Sequence, residues 1–373
     1  MTELDTILHD LIKINSSLSE EECFNYIVNF LGKTNFNVTE QVVDSKKNII
    51  ATKGEPQIVL AGHMDTVSFS RSEWGKAGLD PLNPVEKDGK IYGRGSVDMK
   101  GGLAVMLKIA EDFKGKGLVL LFTVEEETTF KGIDAFVRKY KNKPSFKPKL
   151  FIFLEPTDLR ILNRHKGLYE CRYVVGGKTA HSSKPELGNN PSKLMIDLFA
   201  LENEMKKYKD DTCPTINFGN GRFGLKTDNG IDMTHINSVP DIFEFSFDIR
   251  TTKLFEDKDG IGFVSRYIED SIKKRGLHLI KKQVINNKPS LFVGKEKLKM
   301  VEDAFLSANQ PVNYLSADFY TEAGIVKAGL GIDAINIGPS PSEMAHQVGE
   351  YVEESSLKKL YIIISKIVNA YTS

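Results

Sequence analysis

The sequence predicts an α/β protein: a mostly parallel sheet with helices on both faces, interrupted by an inserted α+β domain. Three observations predict it. Three short apolar runs, Ile58 to Ala61, Leu118 to Val124 and Leu150 to Leu154, lack polar alternation, as strands buried on both faces do. Segments with apolar residues at i, i+3 and i+4 separate and follow them, and alternating strands and helices imply a layered α/β domain. In the middle of the chain, Phe243, Phe245, Phe247 and Ile249 alternate with Glu244, Ser246 and Asp248, the period of a strand wet on one face.

From the N-terminus, Leu4, Ile7, Leu8 and Leu11 recur at helical spacing and read as a docking helix. This opening stretch is acidic where a secretory signal would be basic. The first buried strand runs into Gly62-His63-Met64-Asp65. The stretch GRGSVDMKGG then places Asp98 just ahead of a helix, Gly101 to Phe113, with Leu103, Met106, Leu107 and Ala110 on one face. The second strand runs into Glu125-Glu126-Glu127 and the third into Glu155-Pro156-Thr157-Asp158. The inserted domain begins after the turn His165-Lys166-Gly167 and ends near the polar stretch Asn286-Asn287-Lys288-Pro289. This assigns 1–166 and 286–373 to one domain and 167–285 to the other, an insertion pattern that domain linkers tolerate. The first domain resumes with the strand-like Ala334 to Ile337, reaches His346 in GPSPSEMAHQ, and closes on a helix marked by Leu357, Leu360, Tyr361, Ile364, Ile367, Val368 and Tyr371.

At 373 residues the chain is long enough for two domains, each with its own apolar core. Lys plus Arg balance Asp plus Glu at 50 each, so no net field draws the protein onto nucleic acid or an anionic membrane. A small polar ligand fits better. Cys23, Cys171 and Cys213 are odd in number, widely spaced and without a CxxC pair, which argues against a disulfide framework or a thiolate zinc site and for a reducing cytoplasm. No apolar run approaches the roughly 20 residues that span a bilayer.

The chemistry lies at the strand ends. In open α/β sheets, ligands bind beyond the carboxyl ends of the strands, so His63, Asp65, the Glu125 to Glu127 run and Glu155 should converge. Asp98 joins them from a helix N-terminus, where the dipole favours a carboxylate, and His346 from the loop after the last strand. Alone, His63 would pass for a structural histidine and the glutamate run for a solvated loop; the shared position at successive strand ends makes them a site. Two imidazoles and several carboxylates suit divalent metal of zinc type. Two ions about 3.5–4 Å apart need a bridging carboxylate, and Asp98 is the candidate. The Gly93-x-Gly95 pair superficially matches a dinucleotide-binding turn, but Asp98 stands where the third glycine belongs and would repel a pyrophosphate.

These residues resemble the two-metal aminoacylase and carboxypeptidase family that includes acetylornithine deacetylase and succinyl-diaminopimelate desuccinylase. GHMDTV, GRGSVDMKGG, the EEET run, EPT, RHKG, the HSS of TAHSSKP, and AHQVGEY all occur in the family's order and span nearly the whole chain. The resemblance implies two divalent ions per chain, zinc or alternatively cobalt, one held by His63, Asp98 and Glu155 and the other by Asp98, Glu127 and His346. It makes Glu126 the general base, and Asp65 the acceptor for the far nitrogen of His63. Glu125 stands where relatives carry an aspartate.

The resemblance also makes the inserted domain a dimerisation lid, so that the enzyme is a homodimer. His181 would reach into the partner's site to polarise the scissile carbonyl, and Asn237 and Arg250 would grip the substrate carboxylate. The implied activity is cleavage of the amide of a small N-acyl amino acid, as in arginine biosynthesis. TEAG, EPT and RHKG lean toward the acetylornithine deacetylase branch, with Glu322 expected either to face a cationic side chain or to cap a helix or pair with Lys327 on the surface. Dipeptidase, carboxypeptidase and desuccinylase activities share every ligand and stand as alternatives. A non-catalytic metal-binding protein is disfavoured, because all five ligand residues are present together with Glu126.

Overall fold

The structure is a computed structural model that describes residues 2–209 and 212–373. The chain divides into two compact units, the first formed by residues up to 164 with 293–316 and 321–373, the second by 165–292 and 317–320.

The first unit is built on a sheet ordered Asn37–Val43, Lys46–Lys53, Leu118–Thr123, Ile58–His63, Leu150–Phe153, Ala334–Asn336, Ile161–His165. Its centre is parallel: Ile58–His63 runs with both Leu118–Thr123 and Leu150–Phe153, and Ala334–Asn336 runs with Leu150–Phe153. Antiparallel pairing flanks this centre, from the hairpin Asn37–Val43 and Lys46–Lys53 on one side and Ile161–His165 on the other. Every residue of Ile58–His63 and Leu118–Thr123 is buried, as strands covered on both faces must be. Helix Glu3–Lys13 opens on a capping box between Thr2 and Asp5 and buries Leu4, Ile7, Leu8, Leu11 and Ile12, packing against helix Lys100–Asp112. The terminal helix Glu354–Thr372 packs on that helix too, while Lys131–Tyr140 pairs with Glu322–Leu330. No helix among the described residues is long and apolar enough to cross a membrane.

The second unit is an antiparallel sheet ordered Gly230–Asp232, Thr215–Thr227, Ile242–Thr251, Gly167–Gly176, His278–Lys288. Phe243, Phe245, Phe247 and Ile249 point into its core with Tyr173, where Leu198 and Leu201 of helix Met195–Met205 and Val264, Ile268 and Ile272 of helix Gly260–Lys274 meet them. The polar stretch from Asn286 does not end the inserted domain. It continues strand His278–Lys288, with Lys288 paired to Leu168, because backbone pairing rather than side-chain polarity decides an edge strand. Residues 286–292 and 317–320 accordingly fall in the second unit.

The parallel register sets the level of the functional side chains. His63 pairs with Thr123 and Ala61 with Phe153, so Glu155 stands level with His63 and the Glu125 to Glu127 run begins just beyond. Close approach is needed where the last strand leaves the sheet: a Cβ on Gly338 would run into the backbone carbonyl of Glu155. Gly338→Ala should therefore lower stability by about 1–3 kcal/mol in a urea titration, the typical cost of forcing extra volume into a packed site. An unchanged midpoint would show slack at this strand end.

Candidate metal centre

His63 closes strand Ile58–His63 with its side chain 1% exposed. Its Nδ1 lies 2.9 Å from the backbone carbonyl of Asp65, which takes the ring proton and leaves Nε2 free to bind. The expected acceptor, the Asp65 carboxylate, stands farther off at 3.6 Å. Asp65 is turned elsewhere: its Oδ1 accepts the N–H of Glu126 at 3.2 Å and its Oδ2 that of Glu127 at 3.0 Å. Its carboxylate thus caps the loop that carries both glutamates.

A left-handed backbone at Glu125, φ 59°, turns this loop out of strand Leu118–Thr123. Glu125 consequently leaves the cluster and pairs with Lys46 at 3.3 Å, while its N–H donates to Glu20 at 3.3 Å. Glu126 and Glu127 face inward. Glu127 Oε1 lies 3.0 Å from His346 Nε2, and Glu126 Oε2 lies 4.0 Å from His63 Nε2. Across the sheet, Glu155 Oε1 stands 3.8 Å from His63 Nε2 and is enclosed with no hydrogen-bond partner among the described residues. The His346 loop is pinned by Asp158, whose carboxylate accepts the N–H of Ser342 at 2.7 Å and its hydroxyl at 2.6 Å.

Asp98 completes the arrangement by facing both histidines. Its Oδ1 lies 3.3 Å from His63 Nε2 and its Oδ2 lies 3.3 Å from His346 Nε2. Ligand atoms of His63, Asp98 and Glu155 all lie within 4.8 Å of one another, as do those of Asp98, Glu127 and His346, and those of His63, Glu126 and Glu127. Oxygen and imidazole donors in this arrangement fit divalent ions, and the unpartnered Glu155 oxygen fits a ligand atom in want of its cation.

The electrostatics say the same. Burial opposes charge on His63, yet Glu155, Asp98, Glu126 and Asp65 raise its pKa well above the usual histidine value. Hydrogen bonds to Asp98 and Glu127 raise His346 to about 10. Burial works against Asp98 ionising, but contacts with both imidazoles hold it well below the carboxylate range. Burial and the neighbouring carboxylates push Glu155 up to about 8 and raise Glu126 well above the usual value. Asp98, Glu126, Glu127 and Glu155 outnumber the two imidazoles, so two imidazolium ions could not match all four carboxylates if every one were ionised, and protons held on Glu126 and Glu155 take up the surplus.

Glu322 is not exposed to meet a substrate side chain. It is fully buried at the start of helix Glu322–Leu330, where its Oε2 accepts the Thr123 hydroxyl at 3.0 Å and burial pushes its pKa up to about 8. Ala323, Gly324, Ile325 and Val326 are buried with it, so the packed helix draws the glutamate inward. Lys327 pairs with Asp333 instead.

The other three site residues belong to the second unit. His181 is exposed and bridges to Ser238, and Ser182 donates its N–H to the Asn237 carbonyl at 2.9 Å, so His181 and Asn237 lie on adjoining segments. His181 Nδ1 accepts the Ser183 N–H at 3.1 Å, which places the ring proton on Nε2 as an outward donor. Arg250 stands near the far end of strand Ile242–Thr251, its Nε donating to Asp248 at 3.3 Å. Sequence reasoning missed Glu20 and Lys46, which hold the Glu125 turn, as well as Arg94 and Glu350 beneath Asp98. The last two sit inside the GRGS and AHQVGEY stretches, so their place in those motifs was the available signal.

A model of peptidase family M20/M25/M40 matches residues 59–370. The chain belongs to this family. It is a hydrolytic enzyme acting on amides, from a metal-dependent family. The chain is 28% identical to an acetylornithine deacetylase of Buchnera aphidicola, covering 96% of this chain and 94% of that one, and 27% identical to that of Photorhabdus laumondii, covering 96% and 92%. Among solved structures it resembles the aminopeptidase PepT of Bacillus cereus, with TM-score 0.81, 20% identity and coverage of 100% and 98%. It also resembles an M20 family metallo-carboxypeptidase of Sulfolobus solfataricus, with TM-score 0.73, 17% identity and full coverage of both chains. The catalytic sheet with its inserted α+β unit is thus the fold of this family.

The two inward glutamates should separate experimentally. Glu126→Gln should keep its metal and lose about 10²–10⁴-fold in rate, the usual worth of a positioned base, whereas Glu127→Gln should lose metal. Elemental analysis beside a rate assay decides it; the reverse pattern would shift the assignment by one residue.

Proposed function

We propose that this chain is a two-ion, zinc-type amidohydrolase that releases an amino acid from a small N-acylated amino acid. The observation that carries the reading is Asp98, whose two oxygens each face a different histidine, as a carboxylate shared between two ions requires. Full-length similarity to acetylornithine deacetylases supports an N-acyl amino acid as substrate. When bound, two divalent ions supply a water acidified toward neutral pH and a Lewis-acid contact for the amide carbonyl.

Glu126 takes the proton of the attacking water, a task that suits a carboxylate whose proton affinity is raised by burial and by Glu155 and Glu127. The water oxygen bonds to the carbonyl carbon, the carbon–nitrogen bond breaks, and Glu126 returns the proton to the leaving nitrogen. The products are a carboxylic acid and a free amino acid. Asp65 keeps Glu126 and Glu127 in register by capping their amides. His181 donates from Nε2 to the carbonyl oxygen as charge develops there, and Arg250, with Asn237, binds the substrate carboxylate.

The spacing within the second unit supports a homodimer. His181 and Asn237 lie beside the start of strand Ile242–Thr251 and Arg250 near its end, eight residues on, which at the rise of a strand is about 25 Å. That distance exceeds the span of a small substrate, which supports service of one site by His181 of one copy and Arg250 of another.

Two measurements test this reading. The zinc-loaded chain should hydrolyse N-acetylornithine or another N-acetyl amino acid with higher kcat/KM than any dipeptide or tripeptide of a panel; cleavage of peptides alone would make it a peptidase. Mixing inactive His181→Ala chains with inactive Glu126→Gln chains should restore roughly a quarter of wild-type activity, since half of randomly paired dimers carry one intact site. No recovery after verified subunit exchange would rule out service between copies.

A further inference from the structure

Beneath the metal centre lies a buried ion pair that the chemistry above does not use. Arg94 and Glu350 are 256 residues apart in the chain, and Arg94 Nη1 donates to Glu350 Oε2 at 2.7 Å with the two side chains 3% and 0% exposed. The Glu350 carboxylate also accepts three backbone N–H groups from the loop that carries Asp98. Gly95 donates to Oε2 at 3.0 Å, and Val97 and Asp98 donate to Oε1 at 3.1 and 3.2 Å. Arg94 spends its other terminal nitrogen on the second loop: Nη2 donates to the carbonyl of His346 at 3.3 Å. His346 has a left-handed backbone, φ 66°, a conformation that costs a side-chain-bearing residue energy and persists where its surroundings hold it. The guanidinium also lies 5.6 Å from the ring centre of Trp74, which is fully buried.

A buried ion pair is poor evidence of stabilisation, because desolvation offsets most of its attraction and an apolar pair of similar volume often does as well. This pair does something an apolar pair could not: its hydrogen bonds end on the two separate loops that present Asp98 and His346. We propose that Arg94 and Glu350 are positioning residues that fix the Asp98 loop against the His346 loop and so tune one metal position over the other. The inference rests on the two-ion reading. The group Asp98, Glu127 and His346 takes two of its three members from the tied loops, whereas His63, Asp98 and Glu155 takes one. Loosening the pair should weaken the former selectively.

The test is stepwise Co²⁺ binding to the metal-free full-length chain, followed by visible absorption, with the thermal midpoint of the metal-free protein measured alongside. His346→Ala identifies which step belongs to its ion. Arg94→Lys keeps the positive charge opposite Glu350 but loses the fork that reaches His346. It should weaken that same step by about 10–100-fold, the usual effect of removing a ligand's supporting contact. The other step and the metal-free midpoint should stay near wild type, and activity should return at high Co²⁺. Glu350→Gln, which sets an amide against the three backbone donors, should act in the same direction. Equal weakening of both steps, no change in either, or failure of both variants to fold would reduce the pair to ordinary scaffolding and overturn the proposal. A wild-type chain that binds a single Co²⁺ would sink the two-ion reading itself, and the pair's role with it.

Discussion

Like charges crowded at the end of one sheet are the constraint on which the rest of the structure depends. Asp98, Glu126, Glu127 and Glu155 surround only two imidazoles, and His63 and Glu155 are almost completely enclosed. Bringing such groups together out of water is costly unless cations share the space. The raised proton affinities of Glu126, Glu155 and His346 express that tension in the metal-free chain. Ion binding must then displace protons, so metal affinity should strengthen as pH rises.

The scaffold holds these groups at a common level by parallel register, since Ile58–His63 pairs with a strand on each side and the functional residues follow directly from their ends. Backbone contacts do the rest. Asp65 caps the amides of Glu126 and Glu127, Asp158 anchors the loop of His346, and Glu350 gathers the loop of Asp98. Each is a carboxylate that orients a neighbour rather than a reacting atom. Replacing any of them would act through geometry.

Much of this was legible in the sequence because the buried strands are apolar throughout and end abruptly in polar residues, so His63, the Glu125 to Glu127 run and Glu155 announce themselves by position. The alternation from Phe243 to Ile249 likewise revealed the second unit's wet-faced strand. What stayed hidden depends on contacts distant in sequence. Asp65 reaches amides 61 and 62 residues away, and no periodicity records that. Glu322 reads as a substrate-facing or surface acid until the burial of Ala323, Ile325 and Val326 shows the helix start packed inward. The hairpin Asn37–Val43 and Lys46–Lys53 went unread because its first strand is mostly exposed and lacks a clear apolar face. The strand through Asn286 reads as the end of the inserted domain for the same reason.

Asp98, facing a different histidine with each oxygen, is the carboxylate that two ions would share. Anomalous X-ray diffraction from crystals grown with zinc tests this most directly. Two peaks about 3.5–4 Å apart, one on each side of Asp98, are the predicted result. A single peak, or two that do not share Asp98, would contradict it.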